Sequence, residues 1–434
     1  MDKIWFLLYN LIGVPAQYTM YQIARFFHEK VAEGIAGRKG ETALLRDSLA
    51  HVDSDKPRIL IHCASAGEWE QARPVINALK QANPSVYVII MFFSSSGFNF
   101  VNNNDEFDLK VYMPFDSYFR ARKFFKEINP SLWITVKHDI WPNHMFAAGN
   151  LNIPAVLIDA SLPISSRRHF WLFTYFNRAV YKNFQYIFPV SEQDKSRFLI
   201  LYPYPDKMLI CGDTRFEQVY KRGVSARNME AFRLFDSDKG PVLIAGSIWP
   251  SDEKHLLPAV SRLMHEYSDL NVILVPHEPA RSHMRKLEEF LDSESIQSKR
   301  FGAIVETGHN DTRLALVDTV GILAQLYAQT DIAYVGGSFG PGVHNVMEPA
   351  VQGKPVIFGP RHLNSLEARQ LVERRGGFAV SNSDDIVSIV SEFLNNSGRR
   401  TEAGQKAREL VEDNLGATEK IVNELKKTYD FINA

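Results

Sequence analysis

Residues 331–360 read DIAYVGGSFGPGVHNVMEPAVQGKPVIFGP, the most informative segment of the chain. An apolar run is followed by a glycine-rich loop, a short helical pattern and a second apolar run, which is the order of a parallel β-α-β unit. The loop glycines let the backbone approach a ligand closely. We expect the helix to open at Asn345, where its free N–H groups and positive dipole end favour a phosphate.

Glu348 stands three residues after Asn345 and admits two interpretations. It can be the capping-box partner of the helix start, or its carboxylate can accept two hydrogen bonds from the hydroxyls of a ribose. The length and glycine content of the loop favour the ligand role. The stretch is neither a P-loop, since no Gly-Lys-Ser/Thr follows, nor the usual dinucleotide fingerprint, which belongs in the first βα turn.

The same alternation runs through most of the chain. Strands are predicted at 58–64, 86–93, 132–136, 154–158, 186–190, 241–247, 271–276, 331–337, 355–359 and 377–380. Helical patterns lie at 70–81, 119–128, 252–267, 280–292, 321–329 and 364–375, and a charged amphipathic helix, in one or two pieces, at 399–429. Continuous apolar strands between helices predict an α/β fold with two doubly wound parallel sheets. The polar segment 218–240 marks the boundary between them.

Length and composition support two domains and exclude several functional classes. The chain has 434 residues, more than one hydrophobic core usually holds. Its 49 Lys plus Arg against 50 Asp plus Glu make a broad nucleic-acid surface improbable. Cys63 and Cys211 are too few for a disulfide framework or a cysteine-rich zinc site. There is no H-E-x-x-H and no G-x-S-x-G, so we expect neither a metal nor a cofactor.

The N-terminus departs from this pattern, because residues 4–24 carry no charge. Three interpretations stay open: a helix lying in a membrane interface, a weak spanning anchor and a buried first helix. In a second patch, Arg167, Arg168 and His169 run directly into FWLFTYF at 170–176. This pattern is equally typical of a membrane interface and of a core helix with a charged cap.

Three turns of the first half carry polar groups after predicted strands. Glu68 follows strand 58–64 near the start of a helix, where it can act as a base toward a sugar hydroxyl. Capping by Glu68 or Glu70 is the commoner role of such a residue. The SSSG turn supplies the hydroxyls of Ser94, Ser95 and Ser96, and Asp139 stands at the tip of strand 132–136. Ligands of doubly wound domains bind at the carboxyl ends of the strands. We therefore expect one cleft to collect these groups together with Asn345 and Glu348.

The order of these motifs resembles the 3-deoxy-D-manno-octulosonic acid (Kdo) transferases of lipopolysaccharide biosynthesis over nearly the whole chain. The motifs are HCASAGE (62–68), SSSG (94–97), YMPFD (112–116), WPN (141–143), DASL (159–162), SEQD (191–194), GDTRF (212–216), LVPHEP (274–279), GILAQLY (321–327) and GGSFGPGVHNVMEPA (336–350). The last is the most specific, being similar to the GGS…GGHNPLEP run of that family.

The resemblance implies a metal-independent, inverting GT-B glycosyltransferase that moves Kdo from CMP-Kdo to a lipid A precursor. It implies two Rossmann-like domains facing across a cleft, with a membrane-associating segment at 1–40, an acceptor domain at 41–225, a CMP-sugar domain at 226–400 and a helical segment at 401–434. The place of action would be the cytoplasmic face of the inner membrane of a Gram-negative bacterium.

The resemblance also assigns residues. Glu68 matches the general base, Asp139 keeps a carboxylate of the catalytic site, and Arg215 stands where the family usually has Lys. The residues expected to bind CMP-Kdo are Pro276, His277, Gly321, Ile322, Leu323, Ser338, Asn345, Val346, Met347 and Glu348. Three departures indicate a divergent branch: KHDIWPN replaces ETELWPN, His277 replaces an Arg, and Ile322 replaces a Glu. Nucleotide-sugar 2-epimerases share the two-domain layout, and a non-catalytic membrane-associated binding protein is the third alternative.

Overall fold

The computed structural model describes residues 2–102, 106–163, 166, 168, 170–228, 233–235 and 240–433. The chain forms two compact units, of which the first is Met1–Gln218 with Leu415–Ala434 and the second is Val219–Asn414. Each unit is built on a parallel sheet flanked by helices. The predicted α/β class with two doubly wound sheets is therefore confirmed.

The first unit starts with helices and continues as alternating strands and helices. Its helices are α1 (Asp2–Leu8), α2 (Val14–Ala24), α3 (Glu29–Gly37), α4 (Glu41–Leu49), α5 (Ala66–Ala82), α6 (Ser95–Phe100), α7 (Tyr118–Ile128), α8 (Pro142–Asn150), α9 (Trp171–Tyr181), α10 (Glu192–Phe198) and the start of α11 (Arg215–Asn228). Its strands are β1 (Arg58–Cys63), β2 (Tyr87–Phe92), β3 (Leu109–Tyr112), β4 (Leu132–Val136), β5 (Ala155–Ala160) and β6 (Tyr186–Pro189).

The sheet of the first unit has the order β3-β2-β1-β4-β5-β6. The winding direction therefore reverses between β1 and β4, which pair in parallel with His62 opposite Thr135. Both faces of the sheet are buried, because Ile59 and Ile61 pack into one core cluster and Leu60 into the other. Ligands of such sheets bind beyond the carboxyl ends of the strands at the point of reversal.

The second unit repeats this plan with one more strand. Its helices are α12 (Pro250–Glu266), α13 (Arg281–Ser293), α14 (Phe301–Thr307), α15 (Leu323–Ala328), α16 (Met347–Val351), α17 (Leu366–Glu373), α18 (Ser383–Asn395) and α19 (Ser397–Asp413). Its strands are β7 (Val242–Ile248), β8 (Asn271–Pro276), β9 (Ser298–Arg300), β10 (Leu314–Leu316), β11 (Ile332–Val335), β12 (Val356–Phe358) and β13 (Gly377–Ala379). The order β13-β12-β11-β7-β8-β10-β9 reverses between β7 and β11.

Three strands, β3, β9 and β10, were not predicted from the sequence. β3 and β9 are short strands at sheet edges, and β9 reads Ser-Lys-Arg, so neither has the apolar run that marks a buried strand. β10 is buried but only three residues long, which is too short for a periodic signal.

The final helix, α20 (Ala417–Thr428), belongs to the first unit, whereas α19 belongs to the second. Ile421, Val422 and Leu425 of α20 join the core cluster beneath α5. The Glu217 carboxylate accepts hydrogen bonds from Gly416 N and Thr418 N, at 2.9 and 3.0 Å, and so caps the helix start. The unit boundary accordingly falls after Gln218 instead of near 225, and the expected segment 401–434 divides between the units.

The N-terminal helices have one packed face and one exposed face. Phe6 packs edge-on against Tyr118 and Phe146, with ring centroids 5.2 and 5.3 Å apart. Tyr9, in a π-helical turn between α1 and α2, donates a 2.6 Å hydrogen bond to Asp116. The opposite face exposes apolar side chains, among them Ile4, Leu7, Leu8, Leu11, Ile12, Met20, Ile23, Phe26 and Phe27.

Two of the three interpretations of the N-terminus can now be judged. Among the described residues, no helix combines the length and the apolar character that crossing a membrane requires. A buried first helix does not fit either, because Leu11 and Ile12 are 64% and 66% exposed. Of the second patch, Arg167 and His169 lie outside the described residues. Arg168 donates to the His138 carbonyl oxygen, and Phe170, Phe173 and Tyr175 are exposed.

Candidate functional site

Glu68 lies beyond the carboxyl end of β1, at the reversal point of the first sheet. Ser65 is the N-cap of α5, and its hydroxyl accepts the Glu68 N–H at 3.5 Å. Oε2 of Glu68 in turn accepts the N–H of Ala64. The cap of α5 is thus the Ser65 hydroxyl, and one oxygen of the Glu68 carboxylate is bound to the backbone just before the helix. Among the described residues, no group hydrogen-bonds the other oxygen, Oε1.

The surroundings of Glu68 act on the pKa of its carboxyl group in opposite directions. Burial raises the pKa of this carboxyl above its ordinary value, although His62, the Ala64 N–H and Lys137 act in the opposite direction. Asp139 raises the pKa further by like-charge repulsion. A carboxylate that has only one oxygen engaged in a hydrogen bond, and whose pKa is raised, is suited to accept a proton from a hydroxyl group.

Asp139 lies next to Glu68 because β4 is the neighbour of β1. Its Oδ2 accepts hydrogen bonds from Nε2 of His62 and from Nε1 of Trp141, both at 2.8 Å. Burial opposes ionisation, but these two donors hold the pKa of Asp139 below its ordinary value. Asp139 is therefore an oriented carboxylate. The sequence placed it at the strand tip but did not identify His62 as its partner.

The SSSG turn supplies fewer hydroxyls than expected. Ser94 caps α6 by accepting the Gly97 N–H at 3.0 Å, and buried Ser95 donates to the Lys30 carbonyl oxygen at 2.7 Å. Ser96 is exposed and donates only to Ser94, at 3.4 Å. The prediction that all three hydroxyls face an acceptor sugar is therefore wrong for Ser95, because its hydroxyl fastens α6 to the N-terminal helices.

Arg215 belongs to a separate network around buried acids. Its guanidinium forms a two-point ion pair with Asp213, at 2.9 Å from Nε and 2.6 Å from Nη2. Gln71 of α5 donates to the same Asp213 carboxylate at 3.2 Å. Burial opposes ionisation, but Arg215 holds the pKa of Asp213 below its ordinary value. The Arg215 guanidinium is thus fixed in place relative to α5, the helix whose first turn contains Glu68.

In the second unit, a buried carboxylate fills the inside of the glycine-rich loop. Asp252 is fully buried and accepts from Gly337 N at 2.7 Å, Trp249 N at 2.9 Å, Tyr334 OH at 3.2 Å and Phe339 N at 3.3 Å. The loop is therefore held by an internal anion. Gly337 N and Phe339 N donate to Asp252, so these two N–H groups of the loop are already satisfied within the protein.

The helix after this loop begins later than expected. α16 starts at Met347, and the Asn345 side chain accepts the Met347 N–H at 3.1 Å. Glu348 pairs with Arg222 at 3.3 Å. Val346 and Met347 are buried. Ser338 is also buried, and its Oγ accepts the Gly359 N–H at 2.6 Å, which is a structural role.

Three aromatic rings stack beyond the strand ends of the second sheet. His277 follows β8 and stacks on Trp249, which follows β7, with centroids 4.7 Å apart, and on His344, 4.6 Å away. Nε1 of Trp249 donates to Nε2 of His344 at 2.6 Å. Burial and the neighbouring His277 lower the pKa of His344. Sequence reasoning missed Trp249 and His344, although both stand, like His277, just after predicted strands.

The remaining residues that were predicted to bind CMP-Kdo lie at the end of β8 or after β10 of the second sheet. Gly321 has a left-handed backbone with φ of 89° and is exposed, and Ile322 is the N-cap of α15 with Leu323 following. Pro276 ends β8. Among the described residues there is no cluster of three or more His, Cys, Asp or Glu side chains able to hold a metal.

Residues 38–218 match the family model of 3-deoxy-D-manno-octulosonic-acid transferase (kdotransferase). The Kdo transferase of Haemophilus influenzae is 27% identical over 85% of this chain and 86% of its own length. That of Chlamydophila psittaci is 26% identical over 96% of this chain and 93% of its own length. The chain is similar to these Kdo transferases over most of its length.

These relatives indicate that the protein is a glycosyltransferase, and the matched segment contains Glu68, Asp139 and Arg215. Among solved structures, UDP-GlcNAc 2-epimerase from Neisseria meningitidis bound to UDP-GlcNAc has a TM-score of 0.62 at 15% identity, covering 85% of this chain and 100% of that chain. At such low identity this likeness shows the fold alone, namely two parallel-sheet units of the GT-B type.

Proposed function

We propose that this relative of the Kdo transferases moves Kdo from CMP-Kdo to a sugar hydroxyl of a lipid A precursor, with inversion and without a metal. The observation that carries the proposal is the state of Glu68. This carboxylate is fixed by one backbone N–H at the reversal point of the sheet, and its second oxygen has no hydrogen-bond partner among the described residues.

In the proposed reaction, Oε1 of Glu68 accepts the proton of the acceptor hydroxyl as the hydroxyl oxygen attacks the anomeric carbon of Kdo. The new glycosidic C–O bond forms while the bond from that carbon to the CMP phosphate oxygen breaks. CMP leaves with the electron pair of that bond, and the proton stays on Glu68. A phosphate leaving group needs little protonation, so the reaction requires one base and no separate acid.

The other residues serve binding and charge balance in this proposal. Arg215, held by Asp213, is the cation that offsets charge developing on the donor, and Asp139 keeps a second, oriented carboxylate beside Glu68. In the second unit the strand-end residues contact CMP-Kdo, namely Pro276, His277, Gly321, Ile322, Leu323, Asn345 and Glu348, with Val346 and Met347 contributing backbone groups.

Two features of the first unit support a lipid acceptor and a membrane surface. A cavity of about 290 Å³ is lined mainly by apolar side chains of α2 and by Phe115, with Arg120 at its edge. The packed face of α1 meets α7 through Phe6 and Tyr118, and the Phe119, Arg120, Arg122, Lys123 and Lys126 side chains of α7 are exposed, as are the apolar side chains on the other face of α1 and α2. Apolar and cationic groups side by side suit the interface of an anionic membrane. We place the protein at the cytoplasmic face of the inner membrane.

The experiment is a transfer assay with CMP-Kdo and tetra-acylated lipid A precursor, in which mass spectrometry detects Kdo-lipid and CMP. We expect both products from the parent protein. A 2-epimerase would instead convert UDP-GlcNAc without any lipid, and a binding protein would give no product with either substrate. Absence of Kdo-lipid with several lipid acceptors would overturn the proposed function.

A further inference from the structure

His62 is a fully buried side chain of β1 that the reaction proposed above does not use. It lies on the same face of the strand as Leu60, since side chains alternate along a strand. Its Nε2 is 2.8 Å from Oδ2 of Asp139, and its Nδ1 is 3.2 Å from the carbonyl oxygen of Met91 in β2. The ring therefore bridges β2 and the loop that follows β4.

Both partners of this ring are hydrogen-bond acceptors. The Met91 carbonyl can only accept, and the Asp139 carboxylate, which also accepts from Trp141, is held in its ionised form. A neutral imidazole carries a proton on one nitrogen only, so it can satisfy one of these contacts and not both. The imidazolium form donates to both, and the half-buried Asp139 carboxylate beside the ring stabilises its positive charge.

The groups facing His62 come from each element around it. Glu68 of α5 interacts electrostatically with the ring, whereas the neighbouring Cys63 of β1 packs on the opposite face of the sheet. Lys137, His138 and Asp139 come from the loop after β4. Tyr21 of α2 faces Asp139. Within this group, His62 and Lys137 lower the pKa of Glu68, whereas the negative charge of Asp139 raises it.

We propose that His62 is a positioning residue: a buried, doubly protonated imidazolium that orients the Asp139 carboxylate and supplies positive charge to Glu68. The proposal rests on the proposed function in that Glu68 must be ionised to act as a base. His62 itself does not contact the reacting atoms. Its effect is to keep Glu68 ionised despite burial and despite the negative charge of Asp139.

The first test is the pH profile of kcat/KM for His62→Gln, which removes the charge but keeps a hydrogen-bond donor. Loss of a cation beside a carboxylate raises its pKa, so the acidic limb should move upward by about 1 pH unit. Activity should fall about 10-fold at the foot of that limb and recover toward the parent value in alkaline buffer. A uniform loss at every pH would show a merely structural role and overturn the proposal.

The matched control is His144→Gln. His144 is equally buried, and its Nδ1 is 2.9 Å from Oδ1 of Asp116, so the same kind of contact is lost. No interaction of His144 with Glu68 is among those that set the charge of Glu68. We therefore expect the control to lower the melting temperature without moving the acidic limb. An equal shift of the limb in both variants would contradict a specific role of His62.

The second test needs no activity. In the full-length protein labelled with ¹⁵N-histidine, both ring nitrogens of His62 should give protonated imidazolium signals at pH 7.5, and Asp139→Asn should remove one of the two protons. A neutral His62 in the parent would overturn this inference whether or not the protein transfers Kdo. An imidazolium in a protein that yields no Kdo-lipid would leave the inference standing and refute the proposed function. This measurement also decides the case if His62→Gln does not fold.

Discussion

The hydroxyl oxygen of Thr214 lies 2.5 Å from Oδ2 of Asp159 and 2.6 Å from the carbonyl oxygen of Gln71. A hydroxyl has one proton to donate, and the carbonyl can only accept it. The Thr214 hydroxyl therefore donates to the Gln71 carbonyl, and Asp159 must be protonated so that it can donate to the Thr214 oxygen. Burial and the nearby Asp213 raise the pKa of Asp159 well above its ordinary value, which agrees with this assignment.

Asp159→Asn should preserve this network, since an amide donates to the Thr214 hydroxyl and accepts the Thr214 N–H as the neutral acid does. The backbone of Asp159 is left-handed, with φ of 49°, a conformation that Asn tolerates. A raised folded-state pKa stabilises the fold below the unfolded-state pKa, and that contribution is lost as pH rises through the folded-state value. Chemical denaturation should therefore find Asn equal to or better than Asp at alkaline pH.

The contrasting variant is Asp159→Ala, which leaves the buried N–H of Thr214 without its partner, while the Thr214 hydroxyl keeps only its bond to the Gln71 carbonyl. The expected loss is about 1–3 kcal/mol for each unsatisfied buried group. If Asn destabilises the protein as much as Ala at pH 8, Asp159 is ionised in the folded protein and the proton assignment is wrong.

Glu68→Gln should lower kcat of Kdo transfer by at least ~100-fold, the lower end of the effect of a general base. Because burial raises the pKa of Glu68, its ionised form costs folding free energy at neutral pH, so the variant should melt no lower than the parent. CMP binding, measured by calorimetry, should persist. Glu70→Gln on the same helix is the control and should retain activity. Equal turnover of the parent and Glu68→Gln would remove Glu68 from the mechanism.

Asp252→Asn should disrupt the glycine-rich loop of the second unit. The amide nitrogen of Asn would face N–H groups that now donate to a carboxylate, and hydrogen bonds to charged groups contribute about 1.5–3 kcal/mol each. We expect a lower denaturation midpoint and weaker CMP binding. Asp384→Asn is the control, because Asp384 forms only an exposed ion pair with Arg262. Unchanged CMP affinity in Asp252→Asn would show that the loop does not form the nucleotide site.

Leu11→Ser combined with Ile12→Ser should weaken binding to anionic phospholipid vesicles in a sedimentation assay. Burying such a side chain contributes about 1.5–3 kcal/mol, so a loss of at least 10-fold in partitioning is expected. Val320→Ser removes an equally exposed apolar side chain from the second unit and should have no effect. If both proteins bind vesicles alike, the exposed face of α1 and α2 is not a membrane contact.

Much of the fold could be predicted because its strands are long, apolar and regularly separated by helices. The runs at 58–64 and 132–136 became β1 and β4 within one residue of their expected ends. That accuracy placed Glu68 and Asp139 at the carboxyl edge of one sheet. Hydrophobic periodicity is a local property, so it is readable without knowledge of the rest of the chain.

The partners of the site residues were decided by the tertiary structure. His62 and Asp139 are separated by 77 positions, and Asp252 and Gly337 by 85. Which side chains meet over such separations depends on strand order and register, and one step of register turns a side chain to the other face. Local sequence patterns were thus enough to predict two doubly wound sheets and a carboxylate after the first strand. Only the tertiary structure brings His62 to Asp139, and Asp252 to the N–H groups of the glycine-rich loop.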